Sequence, residues 1–212
     1  MATNNLRRIP GKIIRLLRQF NQQILLYPFK LIFLWVNNVD YQKRPVLGGF
    51  PIITNAGELT IGEQVTITSS ARNNPVSGKQ KTCIGVGKNA TLRIGNNVGI
   101  SNACIFALNS IIIEDDVLIG GGAAIYDSDF HSIQYQQRMQ RPDTNVQSAP
   151  VIIRKGAFIG TEAIIMKGIE IGERSVIAAR SVVTRTVPPD EIWGGNPAKF
   201  IKKINNQETE SV

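Results

Sequence analysis

The 212-residue chain contains one histidine, His131, two cysteines, Cys83 and Cys104, and only 7% aromatic residues. A single histidine excludes a three-histidine metal centre, and no metal is expected. The two thiols have neither metal nor redox spacing, which leaves them as small packing groups suited to a reducing compartment. Apolar runs are also short. The longest, residues 24–36, has 13 residues with Pro28 and Lys30 inside it, against roughly 20 needed to span a bilayer. No small-residue cleavage site follows it, so a secretory leader is not expected. No aromatic-basic groove, zinc spacing or recognition helix is present, so nucleic acid is not expected as a partner.

Positive charge is abundant but uneven. Residues 1–45 hold Arg7, Arg8, Lys12, Arg15, Arg18, Lys30, Lys43 and Arg44 against Asp40 alone, a net +7 out of the chain's +8. This basic, apolar arm has two readings. As an amphipathic helical segment it packs on the coil end or on a neighbouring subunit. As an interfacial helix, residues 1–36 make peripheral contact with anionic headgroups at the inner face of a membrane.

Beyond the arm, an α-helical stripe of period 3.6 is missing and a six-residue clock takes its place. Ile153, Ile159, Ile165, Ile171, Ile177 and Val183 recur every six residues, and Ala157, Ala163, Ile169, Ser175, Ser181 and Val187 each follow by four. A straight half-buried strand would place an apolar residue two positions after each isoleucine, where Lys155, Thr161, Lys167, Glu173 and Ala179 stand. The chain therefore bends there, and each hexad is a short flat with two inward residues followed by a corner. The phase continues upstream through Ile61, Val65 and Ile67, then Ile94, Val98, Ile100, Cys104 and Phe106, then Ile113, Val117, Ile119, Ala123 and Ile125. Ile-Gly pairs at 61–62, 84–85, 94–95, 119–120, 159–160 and 171–172 mark tight corners or close approaches. Repeats of this kind make a solenoid.

Over residues 55–200 the chain resembles the hexapeptide-repeat acyltransferases. The resemblance implies a mainly β fold, a left-handed parallel β-helix of triangular section with three hexads per coil. The expected organisation is a helical arm over 1–45, the coil over 46–190 with an excursion at 131–149, and a C-terminal extension over 191–212, frayed after Asn205.

Chemistry is expected where the clock fails. After Ile125 the chain reads Tyr126-Asp127-Ser128-Asp129-Phe130-His131 and resumes its hexads at Pro150. An imidazole, titrating at about 6.5 when unperturbed, is suited to take a hydroxyl proton near neutral pH. The segment resembles the Asp-x-Asp-Phe-His version of the family found in members acting on surface sugars. It implies His131 as general base, Asp127 or Asp129 orienting the imidazole, and Phe130 as a packing anchor. The resemblance places acetyl-CoA along the last coils, with Gly160 and Thr161 at the thioester carbonyl and Ala179, Thr184 and Arg185 along the coenzyme. Lys199, in the closing Gly-Asn-Pro-Ala-Lys motif, offers positive charge to its phosphates. Asn102 is the candidate acceptor contact, and the insert 68–82 is a candidate rim.

Together these features imply a cytoplasmic acetyl-CoA-dependent O-acetyltransferase of a sugar or polysaccharide precursor, working as a homotrimer. N-acetylation of an amino sugar or other small amine, and a non-catalytic scaffold or membrane adaptor, are the alternative readings.

Overall fold

A computed structural model describes residues 26–76 and 80–205. Most of the basic arm, including Arg7 to Arg18, and the tail after Asn205 lie outside the described residues. The chain divides into Met1–Val36 and Asn37–Val212. The described part of the first unit is helix α1 (Tyr27–Val36), on which Phe29, Ile32, Trp35 and Val36 are exposed. Among the described residues no helix is long and apolar enough to cross a membrane.

The second unit is a left-handed parallel β-helix of six coils, each laying one strand on each of three flat faces, A, B and C. The first coil is β1 (Val39–Tyr41), β2 (Val46–Gly48) and β3 (Ile52–Asn55). The second is β4 (Glu58–Ile61), β5 (Thr66–Thr68) and β6 (Cys83–Val86), with the insert between β5 and β6. The third is β7 (Thr91–Ile94), β8 (Gly99–Ser101) and β9 (Cys104–Ala107), and the fourth β10 (Ser110–Ile113), β11 (Leu118–Ile119) and β12 (Ala124–Tyr126). After the excursion, which carries the one-turn helix α2 (Tyr135–Arg138), come β13 (Val151–Ile153), β14 (Phe158–Ile159) and β15 (Ile164–Ile165). The last coil is β16 (Glu170–Ile171), β17 (Val176–Ile177) and β18 (Val182–Val183). The hairpin β19 (Glu191–Gly195) and β20 (Ala198–Lys203) then closes face B. The coil thus starts at Val39, inside the segment assigned to the arm by sequence, and the C-terminal extension contributes two strands.

In-register stacking builds the core. Ile61, Ile94, Ile113, Ile153 and Ile171 lie one above another on face A, each at most 3% exposed. Burying each such side chain contributes on the order of 2 kcal/mol. Corners turn through residues of positive φ, among them Asn97, Asp116 and Gly156 between faces A and B, and Asn102, Gly122, Glu162 and Arg180 between faces B and C. Glycine, asparagine and aspartate tolerate that region best. The glycines of the Ile-Gly pairs serve differently. A Cβ on Gly160 would meet Ile177 O at 2.5 Å and Ala179 N at 2.6 Å, so glycine here lets one coil approach the next.

One stretch of the expected phase is shifted. In the third coil Ala103, Ile105 and Ala107 point inward at 0% exposure, while Cys104 and Phe106 face outward and are half-buried. Only Ser101 and Asn102 separate Ile100 from the next inward residue, whereas Gly120, Gly121 and Gly122 separate Ile119 from Ala123. The corner is one residue shorter, so Cys104 is not the core residue that a strict clock makes it. It lies beside Cys83 on the outer side of face C, next to Tyr126. Burial, followed by a hydrogen bond to Cys104, pushes the Tyr126 phenol up to about 12.

Candidate active site

The excursion leaves the coil at the edge between faces C and A and is anchored there by two carboxylates. Asp127, fully buried, accepts from Leu108 N and Asn109 N, both at 2.8 Å, and so ties the fourth coil to the third. Asp129 receives Lys167 Nζ on both oxygens, at 2.7 and 2.8 Å, and fastens the start of the excursion to the coil above. Phe130 follows with φ +61°, a strained value for an aromatic residue, and its ring packs edge-on against Phe106 and Tyr126 at 5.6 and 5.3 Å. Packing offsets the strain, and the turn sends His131 outward, its side chain 72% exposed.

The imidazole has a carboxylate partner, but neither of the two expected from sequence. Asp143 Oδ2 lies 3.1 Å from His131 Nδ1 and also accepts from Ser132 N at 3.0 Å. Asp127 and Asp129 are engaged elsewhere, and the contact expected of one of them is made by Asp143. A carboxylate accepts only, so the contact selects the tautomer protonated on Nδ1 and leaves the Nε2 lone pair facing outward as a base. The local frame is dense. Ser132 Oγ donates to Gln137 Oε1 at 3.0 Å, and Arg138 Nη1 donates to the carbonyls of Ser132 and Ile133. Thr184 and Arg185, exposed after β18, lie on this same C–A edge.

The other candidates stand on the edge between faces B and C. Thr161 and Ala179 occupy successive corners, linked by Arg180 N to Thr161 O at 2.8 Å. Among the described residues the N–H groups of Thr161 and Ala179 have no acceptor, and Ala179 is exposed. Gly160 differs. It is buried and its N–H is bound to Ile177 O at 2.8 Å, so it packs coils while Thr161 offers the donor expected of the pair. Lys199 extends the edge upward. It pairs with Gly194, whose Cα lies against Ala178.

Asn102 stands lower on the same edge but is fully buried, with Nδ2 donating to Asn74 O at 2.9 Å. It holds the insert in place, and its Oδ1, also buried, has no hydrogen-bond partner among the described residues. The sequence-predicted residues therefore fall on two edges of one chain, separated by the width of face C, about 15–20 Å for a strand and its corner. The outer side of that face carries Ile52, Cys83, Cys104, Ala124, Ile164 and Val182 in register, an apolar column. Among the described residues no cluster of three or more His, Cys, Asp or Glu could hold a metal ion.

Residues 150–185 match the family model described as bacterial transferase hexapeptide (six repeats). The galactoside O-acetyltransferase of Escherichia coli is 29% identical over 120 residues, 56% of this chain and 57% of that protein. A Saccharomyces cerevisiae relative is 34% identical over 121 residues and is matched over 60% of its length, so the chain spans less than two thirds of these relatives. The polysialic-acid-specific acetyltransferase NeuO, at 20% identity and a TM-score of 0.52, shares the fold. A hexapeptide-repeat acetyltransferase of Vibrio cholerae, solved with acetyl coenzyme A, is 34% identical with a TM-score of 0.52 over 60% of this chain and 70% of that one. At that identity and coverage, this chain belongs to the hexapeptide-repeat acetyltransferases.

Proposed function

We propose that the protein transfers an acetyl group from acetyl-CoA to a hydroxyl of a sugar or polysaccharide precursor, with His131 as the general base. The observation that carries the reading is the His131–Asp143 pair, exposed on a packed turn with Nε2 free. In the reaction, Nε2 takes the acceptor hydroxyl proton as the oxygen attacks the thioester carbonyl carbon. The carbonyl oxygen gains negative charge, to which the N–H of Thr161 from a neighbouring protomer would donate a hydrogen bond. Collapse of the tetrahedral intermediate breaks the C–S bond, and the CoA sulfur leaves with the proton held by the imidazolium. No protein nucleophile is needed.

The separation of the two edges supports a homotrimer in which the C–A edge of one copy meets the B–C edge of the next. His131, Thr184 and Arg185 of one protomer then share a groove with Thr161, Ala179 and Lys199 of its partner. The apolar column on face C gives that contact something to bury. The test is release of free CoA thiol from acetyl-CoA by the purified protein against a panel of sugars, with light scattering on the same sample. Acceptor-dependent thiol release by a trimer is expected; a fully active monomer contradicts the shared groove.

A further inference from the structure

We infer that the acceptor carries a carboxylate or phosphate, and that Arg72 and Lys81 on the insert after β5 bind it. The inference rests on the proposed function for the place of transfer and adds the chemical class of the acceptor.

The insert leaves the coil on the B–C edge, the edge that carries Thr161 and Ala179. Its base is firmly held. Thr82 N donates to Ser69 Oγ at 3.1 Å, Thr82 Oγ1 to Thr68 O at 2.5 Å, and Ser69 Oγ to Phe50 O at 3.1 Å. Asn102 Nδ2 grips Asn74 O from the coil above. Arg72 and Lys81 project from this frame, both exposed and neither with an acidic partner among the described residues.

Some other cations of the coil have acidic partners, while Lys88, Arg93, Arg185 and Lys199 have none among the described residues. Arg154 lies between Glu114 and Glu170, Arg174 meets Asp190, Arg180 meets Glu162 and Lys167 meets Asp129. Around the insert no such match is available, because residues 64–113 contain no Asp or Glu and five Lys or Arg. A surface of one sign with no nearby counter-charge attracts an opposite charge and favours its entry.

Position fits the reaction. The insert belongs to the second coil and Thr161 to the fifth, so about 14 Å of edge lies between them at the usual strand spacing. That length accommodates a sugar whose hydroxyl lies at the thioester and whose charged substituent lies at the insert. A sugar carboxylate and a nucleotide diphosphate share the chemistry the two cations would bind.

The experiment compares neutral with anionic acceptors, using the full chain and acetyl-CoA. Methyl galactoside is paired with methyl galacturonoside, and galactose with UDP-galactose. The charged member of at least one pair should show about tenfold higher kcat/KM, the order expected for a hydrogen bond to a charged group. The pair with the larger ratio distinguishes carboxylate from diphosphate. Raising salt from 20 to 500 mM, which shortens the screening length about fivefold, should compress the ratio. In Arg72→Gln/Lys81→Gln the ratio should fall towards one with KM for acetyl-CoA unchanged.

Equilibrium binding of methyl galacturonoside and UDP-galactose to the same two proteins keeps the inference separate from the transferase reading. Binding that is lost in the variant, without thiol release, supports the charged acceptor and defeats the proposed reaction. Equal use of charged and neutral sugars, a preference that survives in the variant, a variant whose altered constant is KM for acetyl-CoA, or no binding of either anion overturns the inference.

Discussion

The A–B and B–C edges of the coil have the same backbone period, yet one is largely capped by side chains and the other is open. On the A–B edge, side chains from a neighbouring coil cap three corner amides, while those of Asp115 and Glu173 have no acceptor among the described residues. Glu63 N donates to Asn96 Oδ1 at 2.8 Å, Asn96 N to Asp115 Oδ1 at 2.6 Å and Lys155 N to Glu114 Oε2 at 2.9 Å. Asn97 Nδ2 adds a rung to Asp116 Oδ1 at 2.8 Å. On the B–C edge the corresponding positions carry Gly120 to Gly122, Thr161 and Ala179, too short to reach a neighbouring amide. A ligand rich in amide carbonyls would have to displace existing bonds on the first edge. On the second it finds the N–H groups of Thr161 and Ala179 free, which is why the proposed pantetheine arm is assigned to that edge.

Removing the base has the largest expected effect. His131→Ala should lower turnover by roughly 100 to 10,000-fold. The melting temperature should hardly move, because the imidazole is 72% exposed and fills no core space. Retention of more than about a tenth of the wild-type rate in a folded variant removes His131 from the mechanism.

Filling each edge in turn sharpens the contrast. Ala179→Trp adds bulk to an exposed corner of the open edge and should raise KM for acetyl-CoA by about tenfold or more, equivalent to 1.4 kcal/mol of binding. Lys155→Trp, at an exposed corner of the closed edge, should leave that KM unchanged. Equal effects from the two variants would erase the distinction between edges.

Carboxylates that close corners should matter for stability rather than rate. Asp127→Ala leaves the N–H groups of Leu108 and Asn109 without their acceptor and should cost about 2–4 kcal/mol in denaturant unfolding. The folded fraction should keep turnover within a few-fold of wild type. A catalytic loss in a stable Asp127→Ala protein would return this residue to the chemistry.

Asp116 offers the smallest effect. Its hydrogen bond from Asn97, and then the charge of Lys155, hold the carboxyl below its ordinary value. A depressed folded value contributes stability that is present above the unfolded value and lost as pH falls through the folded one. Melting temperature should therefore fall below about pH 4 in the wild type, and slightly less steeply in Asp116→Asn. The same acid profile in both proteins would show that this rung contributes nothing measurable.

Much of the scaffold was legible because each inward residue of the later coils obeys a fixed count. Ile153 to Val187 could be placed from spacing alone, since identical flats and corners repeat without interruption. The reading slipped at Cys104, where a two-residue corner through Asn102 replaces the three-residue corner of the next coil. Alternation of Ala103, Ile105 and Ala107 was the signal that could have corrected it. The first coil, Val39–Asn55, lacks Ile-Gly pairs and was assigned in part to the arm.

At the site, His131 stood out as a lone histidine on a break in the repeat. Asp143 did not, because it lies in a stretch without period and meets His131 only through the fold of the excursion. Likewise, Asp127 and Asp129 are adjacent to the histidine in sequence, but their carboxylates turn to Leu108, Asn109 and Lys167. Nearness along the chain did not give the carboxylate that meets the imidazole.

The most direct test of the open edge is residue-resolved amide hydrogen exchange of the full-length protein with and without CoA. The account predicts that CoA slows exchange at Thr161 and Ala179 while leaving the capped amides of Glu63, Asn96 and Lys155 unchanged. Protection at the A–B corners with no change at Thr161 and Ala179 would contradict it.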